Sequence, residues 1–453
     1  MADFDFNSIA RKWPDLSTVT AMFADSNGIM RGKVLPASGL EKLFKEGVFL
    51  PASVFGTDAT GESVAETGLV WEKGDVDFRW MPVADTFFIL PGSDGRDAAV
   101  MIQMMADDGS PHPLDPRSIL QSVTCTLGQQ NIFPVIAPEL EFYLIGLTND
   151  DRGMGQAAMV NGLGRGQETN QIYGIDSYEE FRPLLEAIKA ACHAVSVGAD
   201  TAITEYGRGQ FEINLVHRDD PVRACDEAVL LRHLTRRVAR QHGVDVTFMG
   251  KPFAEDTGSG FHLHASLWDR DGANILREPE GGEPWGNPAM AHAAGGMARY
   301  LGESMAVMAP NANAWRRIQP GHYAPTDRSW GFNNRTVTFR IPPGDAKARR
   351  LEHRSGSADV NPYLATALIL GSMAEGLEQQ ITPPPMTTGN AYDAPQRDGL
   401  PDTWLEALDL FAESPFIGRW LGEEYRHVYA ETKRYERRVF EGHITPLEWS
   451  WYR

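Results

Sequence analysis

Four short segments of this 453-residue chain set ionisable side chains at alternate positions. In PELEFYL, a two-residue repeat turns Glu139, Glu141 and Tyr143 to one face and Leu140, Phe142 and Leu144 to the other, with the carboxylates roughly 7 Å apart. EYGRGQFEINL puts Gln210, Glu212 and Asn214 opposite Phe211, Ile213 and Leu215, and its leading loop delivers Glu205. In GSGFHLHASL, His262, His264 and Ser266 share a face, while in RRLEHRSG the row is Arg350, Glu352 and Arg354. A charged strand face is usually the solvated side of a sheet. That explanation loses weight when all four strands carry Glu, His or Arg, because solvated faces also draw Lys, Thr and Ser.

Five carboxylates on one surface need compensation, since each buried anion costs several kcal/mol unless it is paired or coordinated. Oxygen-rich ligation with an imidazole suits hard Mg or Mn ions, and no cysteine stands near enough for structural zinc. Two such ions beside several arginines make a site for moving a phosphoryl group.

The elements that must position these side chains fit two units. VTAMFAD (Val19 to Asp25) and FFILPG (Phe87 to Gly92) read as strands, with SGLEKLFKEG as a short capped helix between them. The Pro-, Gly- and Asp-rich stretch Asp107 to Arg117 marks a boundary, dividing residues 1–110 from 111–453. Beyond it, a helix is expected from Ser118 to Gln130. Further helical patterns (Tyr178 to Val195, Cys225 to His242, Pro288 to Ala309, Asn361 to Glu378) alternate with short strands, which argues for a large α/β or α+β unit. The glycines Gly162, Gly164 and Gly166 sit in a segment, Asn149 to Gln167, that reads as a mobile loop rather than a phosphate cradle, because no strand leads closely into it and no helix opens from it.

Composition narrows the partners. With 42 Lys and Arg against 61 Asp and Glu, the net charge of -19 disfavours nucleic acid and permits a cationic substrate. No apolar run approaches a membrane span, and the first residues lack the basic-then-apolar pattern of a signal peptide, so a cytoplasmic protein is expected. Cys125, Cys192 and Cys225 are few, scattered and read as reduced thiols.

In this order, PELEFYL, EYGRGQFEINL, GSGFHLHASL, NNRTVTFRIP and RLEHRSGSADVNPYL resemble the glutamine synthetase superfamily, over nearly the whole chain from RGKVLP at Arg31. FLPASVFGTD, APNANAWRRIQPGHYAPT and RSWGFNNRTVTFRIP resemble its branch of gamma-glutamylamine and gamma-glutamylpolyamine ligases. The resemblance implies an α+β fold: a small β-grasp N-terminal domain, then a catalytic domain with a curved antiparallel sheet and surrounding helices. It also implies a homo-oligomer, a dodecamer of two stacked hexamer rings with active sites between subunits. The implied reaction uses ATP to phosphorylate the gamma-carboxylate of glutamate, after which a primary amine such as putrescine attacks the acyl phosphate.

Carried onto this sequence, the resemblance implies that Glu141, Glu205 and Glu212 hold the metal nearest glutamate and the amine, and Glu139, His262 and Glu352 the one at the ATP phosphates. His264, Arg335, Arg340 and Arg350 match phosphate-contacting positions, Gly258, Arg317 and Arg354 glutamate-binding ones, and Ser266 and Trp330 positions near the nucleotide base. Arg335, Arg340, Glu212 and Tyr323 are the implied catalytic set.

Departures from the family bear on the amine. Ammonia-using members carry an aspartate in the loop that here reads Phe49 to Ser53, and a glutamate after the Pro-Gly turn where this chain reaches Tyr323; Thr257 replaces an asparagine. Leu50, Phe55 and Tyr323 are therefore expected to form an apolar amine pocket, with Asp58, Glu62 and Glu66 as candidates for the far ammonium of a diamine. Tyr392 resembles a tyrosine adenylylated in some bacterial glutamine synthetases, though a lone loop tyrosine is a poor regulatory signal. An ammonia-using synthetase, a non-catalytic regulatory relative and a ligase or kinase for another acid remain alternatives.

Overall fold

The structure, a computed structural model, describes residues 5–150, 153–158, 167, 172–321, 323–325, 327–393, 395 and 397–453. Its first sheet has six strands: β1 (Thr18–Ala24), β2 (Met30–Pro36), β3 (Val48–Pro51), β4 (Asp77–Pro82), β5 (Phe88–Ile89) and β6 (Asp97–Met105). The order is β2-β1-β6-β4-β3, with β5 also on β6; β1 and β6 run parallel and the other pairs antiparallel. A parallel central pair beside a hairpin, with the helix Leu40–Glu46 laid across, is the β-grasp arrangement. Its core is aromatic. Trp80 is fully buried, with Phe23 at 4.3 Å and Phe55 at 5.5 Å between ring centroids.

The second sheet is curled and contains β7 (Phe133–Asn149), β8 (Gly155–Ala157), β9 (Ala199–Thr204), β10 (Gln210–Leu215), β11 (Asp245–Thr247), β12 (Gly260–Trp268), β13 (Trp330–Phe332), β14 (Phe339–Ile341) and β15 (Leu351–Ser357). Along the order β13-β14-β15-β12-β7-β10-β9, only β13 and β14 pair in parallel; β8 and β11 hold the far end of β7. One side of this sheet is apolar: Leu140, Phe142, Leu144, Phe211 and Ile213 are buried there, with the helices Ile175–Ala194 and Pro221–Gln241 packed against β9 and β7. The other side carries the ionisable rows.

The sequence expectations for strands and helices hold to within a few residues. Ser118 to Gln130 begins earlier, at Pro116, because Asp115 caps the helix and proline suits its first turn. Likewise the helix expected from Cys225 starts at Pro221 behind the cap Asp220. The expected strand Phe87 to Gly92 shrinks to Phe88–Ile89. Gly162, Gly164 and Gly166 lie outside the described residues, and the start of their segment is taken up by the end of β7 and by β8. Among the described residues no helix is long and apolar enough to cross a membrane.

Candidate active site

Strand register explains how distant segments meet. On β10, Glu212 lies opposite Glu141 of β7; Glu139, two residues back, lies opposite His262 of β12; His264 faces Glu352 of β15, which faces Arg340 of β14. Five strands thus lay one row of charged side chains across the curled sheet. The row floors a cavity of about 510 Å³. All six expected metal-binding residues line it, as do His264, Arg335, Arg340, Arg350, Gly258, Arg317, Arg354 and Tyr323.

Two compact groups of potential ligands share one residue. Glu139, Glu212 and His262 form the first, and Glu139, His264 and Glu352 the second. Glu139 reaches both imidazoles, with Oε1 at 2.9 Å from His264 Nε2 and Oε2 at 3.5 Å from His262 Nδ1. The two groups overlap both implied sets, sharing Glu212 with one and Glu139, His262 and Glu352 with the other. Here His262 stands with Glu212, while Glu352 stands with His264 and pairs with Arg340 (2.8 Å) and, more closely, with Arg354. Glu141 is held instead by the Gly260 amide, which donates to its Oε2 at 2.7 Å.

Charge along the row is uneven. Burial, and after it Glu139, Glu141 and Glu205, pushes Glu212 well above the usual carboxylate range. Burial and then Glu141 push Glu205 up to about 8. Burial also opposes the charge on Glu139 and Glu352, yet there the neighbouring basic side chains win. His264 and His262 hold Glu139 well below its ordinary value, and Arg354 with the two histidines holds Glu352 at about 2. At Glu205 the pull of Arg335 and Arg354 does not offset burial and Glu141, and at Glu212 the Asn214 hydrogen bond does not offset burial and three carboxylates. The donors fit divalent cations on a second count: the buried Nε2 of His262 has no hydrogen-bond partner and lies 3.8 Å from Glu141 Oε1.

A buried polar knot fixes the loop after β9. Tyr143 donates to the Thr257 carbonyl at 2.6 Å, Thr257 Oγ1 donates to Gln210 Oε1 at 2.7 Å, and that oxygen also accepts from the Gly207 amide at 2.9 Å. Gln210 Nε2 bonds the Gly258 carbonyl at 3.0 Å, so one network links Glu205, through its loop, to the expected glutamate-binding glycine. Gly207 is obligatory here, because a Cβ would stand 1.9 Å from the Tyr143 hydroxyl. Arg317, fully buried, donates to the carbonyls of Ser355 and Arg354, and burial lowers its pKa.

The remaining expected residues lie away from the cavity lining. Phe55 is fully buried in the aromatic core of the first sheet, where it offers no surface to a substrate. Leu50 is half-buried on β3, where it packs on the same core apart from the cavity of its own chain. Asp58 is spent on its own turn, accepting from Thr60 and Glu62 amides, and Glu66 pairs with Arg438. Ser266 donates to the Val135 carbonyl and Trp330 to the Pro384 carbonyl, and neither is in the cavity lining. Tyr392 donates to the Ala324 carbonyl at 3.3 Å.

Sequence reasoning missed Ile172, Tyr173, Ile203 and Tyr206, which also line the cavity. Three of them belong to no alternating charged segment. Tyr206 stands inside the quoted EYGRGQFEINL, next to Glu205, and adjacency to a candidate ligand was the signal available.

The profile described as the glutamine synthetase catalytic domain matches residues 113–452. The chain belongs to the glutamine synthetase family. Within that family it is 38% identical over 442 residues to gamma-glutamylputrescine synthetase PuuA of Escherichia coli (strain K12), covering 97% of this chain and 92% of the relative. It is 29% identical to the glutamate–isopropylamine ligase of a Pseudomonas species (93% and 92% covered) and 27% identical to the glutamine synthetase of Pyrococcus abyssi (95% and 91%). A solved GmaS/ADP complex superposes with a TM-score of 0.84 at 25% identity, covering 98% of both chains. Family membership accounts for the curled sheet; the ionisable row is what the members' chemistry has to work with.

Proposed function

We propose that this glutamine synthetase family member joins the gamma-carboxylate of glutamate to a primary amine, putrescine or another alkyl or polyamine, using ATP. The observation that carries the reading is the row of five carboxylates, two histidines and five arginines in one cavity, in a chain similar to two glutamate–amine ligases over nearly its full length.

Glu139, Glu141, Glu205, Glu212, His262 and Glu352 would hold divalent cations, and Mg or Mn suits so oxygen-rich a donor set. When bound, such ions would neutralise the phosphate oxygens of ATP. Arg340 and Arg350 flank His264 and Glu352 and are suited to hold the transferring phosphoryl group, with Arg335 at the rim. Arg317, Arg354 and Gly258 lie together beside Glu141, a suitable seat for the carboxylate and ammonium of glutamate.

In the first step a gamma-carboxylate oxygen bonds to the terminal phosphorus of ATP and ADP leaves. Then the amine nitrogen bonds to the acyl carbon, phosphate departs, and the nitrogen gives up a proton at the Glu205 and Glu212 end of the row. Carboxylate alone is a poor electrophile, which is why phosphorylation comes first.

We also read residues 1–110 as the N-terminal domain and 111–453 as the catalytic one, and the protein as a cytoplasmic dodecamer. Burial gives partial support for assembly: the helix Pro446–Tyr452 buries none of its residues and leaves Leu447, Trp449, Trp451 and Tyr452 exposed.

An ammonia-using synthetase is the second reading; against it stand Leu50 and Tyr323 where such enzymes carry acids. Phosphate release across a panel of amines, with glutamate, ATP and Mg constant, separates the two. We expect at least tenfold higher kcat/KM for a primary alkyl amine than for ammonia, about 1.4 kcal/mol of transition-state binding. Ammonia matching every amine in the panel overturns the proposal.

A further inference from the structure

Phe55 of the expected amine pocket is in the core of the first sheet, yet one end of the cavity is aromatic. Tyr206 (44% exposed) and Tyr323 (48% exposed) face each other across it, with ring centroids 6.1 Å apart and planes at 51°. Ile172 and Ile203 extend the same wall. Arg340, Arg350 and the prolines Pro342 and Pro343 also line the cavity.

Tyr206 is held in place by more than its own contacts. It follows Glu205 directly, whose amide bonds the Gln210 carbonyl at 2.9 Å, and it precedes Gly207, which is locked into the Tyr143, Thr257 and Gln210 network. Arg208, next along, is tied to Asp256 at 3.2 Å. The neighbouring segment is joined to the same loop, as the Tyr173 amide donates to the Thr204 carbonyl at 3.1 Å. Tyr323 has a left-handed backbone, φ 53°, a conformation that tyrosine rarely adopts without outside constraint.

Resting on the glutamate–amine ligase reading, we propose that Tyr206 is the residue that selects the amine. With Tyr323 it forms a notch that takes the methylene chain of a primary alkyl amine and directs its nitrogen to Glu205. The two planes make an open V. A sandwich would need about 7 Å between parallel rings, two carbon contacts of about 3.5 Å each, so the chain lies along the notch. The chemistry suits an alkylammonium throughout: ring faces attract the cation, ring bodies cover the methylenes, and carboxylates stand at the inner end. An ammonium ion gains the first and last of these but has no methylenes to cover.

The test compares Tyr206→Ala and Tyr206→Phe with the wild-type holoenzyme on methylamine, propylamine and butylamine, reading gamma-glutamyl amide formation, with hydroxylamine as a compact nucleophile. In the wild type each methylene laid against the rings should raise kcat/KM about fourfold. Tyr206→Ala should flatten that series, lowering the butylamine-to-hydroxylamine ratio of kcat/KM about tenfold, and Tyr206→Phe, which keeps the ring, should restore it. Because the rings are neighbours, Tyr206→Ala and Tyr323→Ala should be non-additive for butylamine. An unchanged ratio in Tyr206→Ala, or an equal loss for every nucleophile, overturns the assignment. Failure of the underlying reading shows in the wild type alone, as turnover of ammonia without preference for any alkyl amine.

Discussion

Replacing Glu352 with Gln removes the carboxylate that the buried guanidiniums of Arg340 and Arg354 share. Glu352 is 2% exposed, and its two oxygens accept from Arg340 at 2.8 Å and from Arg354. Two independent estimates of its contribution agree. Breaking a buried pair by removing one partner costs about 3–5 kcal/mol, because the other charge stays buried. Holding the carboxyl at about 2 rather than its ordinary 4.5 is worth about 3 kcal/mol. Glutamine keeps one acceptor but turns an amide donor towards the second arginine, so most of that stabilisation should go. The assay is urea unfolding of chelator-treated protein without ATP or glutamate, followed by circular dichroism. At pH 7 Glu352→Gln should be less stable than wild type by about 3 kcal/mol. The depressed pKa fixes the pH dependence: the stabilisation is fully present above about 4.5 and is lost as pH falls towards 2. The difference between the proteins should therefore hold from pH 7 to about 5 and narrow below. A variant as stable as wild type at pH 7 would mean that the two arginines do not depend on Glu352.

Two other perturbations probe the rest of the row. Chelation should abolish ligase activity and added Mg or Mn should restore it, because the charges around Glu205 and Glu212 do not by themselves offset their burial and mutual repulsion; full turnover by metal-free protein would remove the cations from the reading. Gly207→Ala should cost about 1–3 kcal/mol by overpacking and lower kcat/KM at least tenfold, since its methyl displaces the Tyr143 hydroxyl; wild-type kinetics in this variant would show the knot to be dispensable.

Much of this arrangement could be read before folding. Alternation in PELEFYL and GSGFHLHASL predicts that Glu139, Glu141, His262 and His264 share a surface, and strand pairing then brings Glu139 beside His262. Alternation carries no register between strands, so the pairing of Glu352 on β15 with Arg340 on β14 was out of reach. Tyr143 follows the parity yet is fully buried, because the loop bearing Thr257 closes over it. Phe55 was misread for a related reason: the short turn Ala52–Gly56 gives no periodicity to say which way a ring points, and burial against Trp80 decided it. Ile172 and Ile203 meet Tyr206 only in three dimensions.

The position of Glu139 between His262 and His264 has a consequence for how the site fills. One oxygen serves each group, so neither can change its charge without altering the carboxylate the other relies on. By thermodynamic reciprocity, whatever binding at one group does to affinity at the other is returned in equal measure, typically about 1–3 kcal/mol. A site built this way titrates as one unit: affinities measured for an isolated half do not add, and a substitution at either end of the row is felt at both.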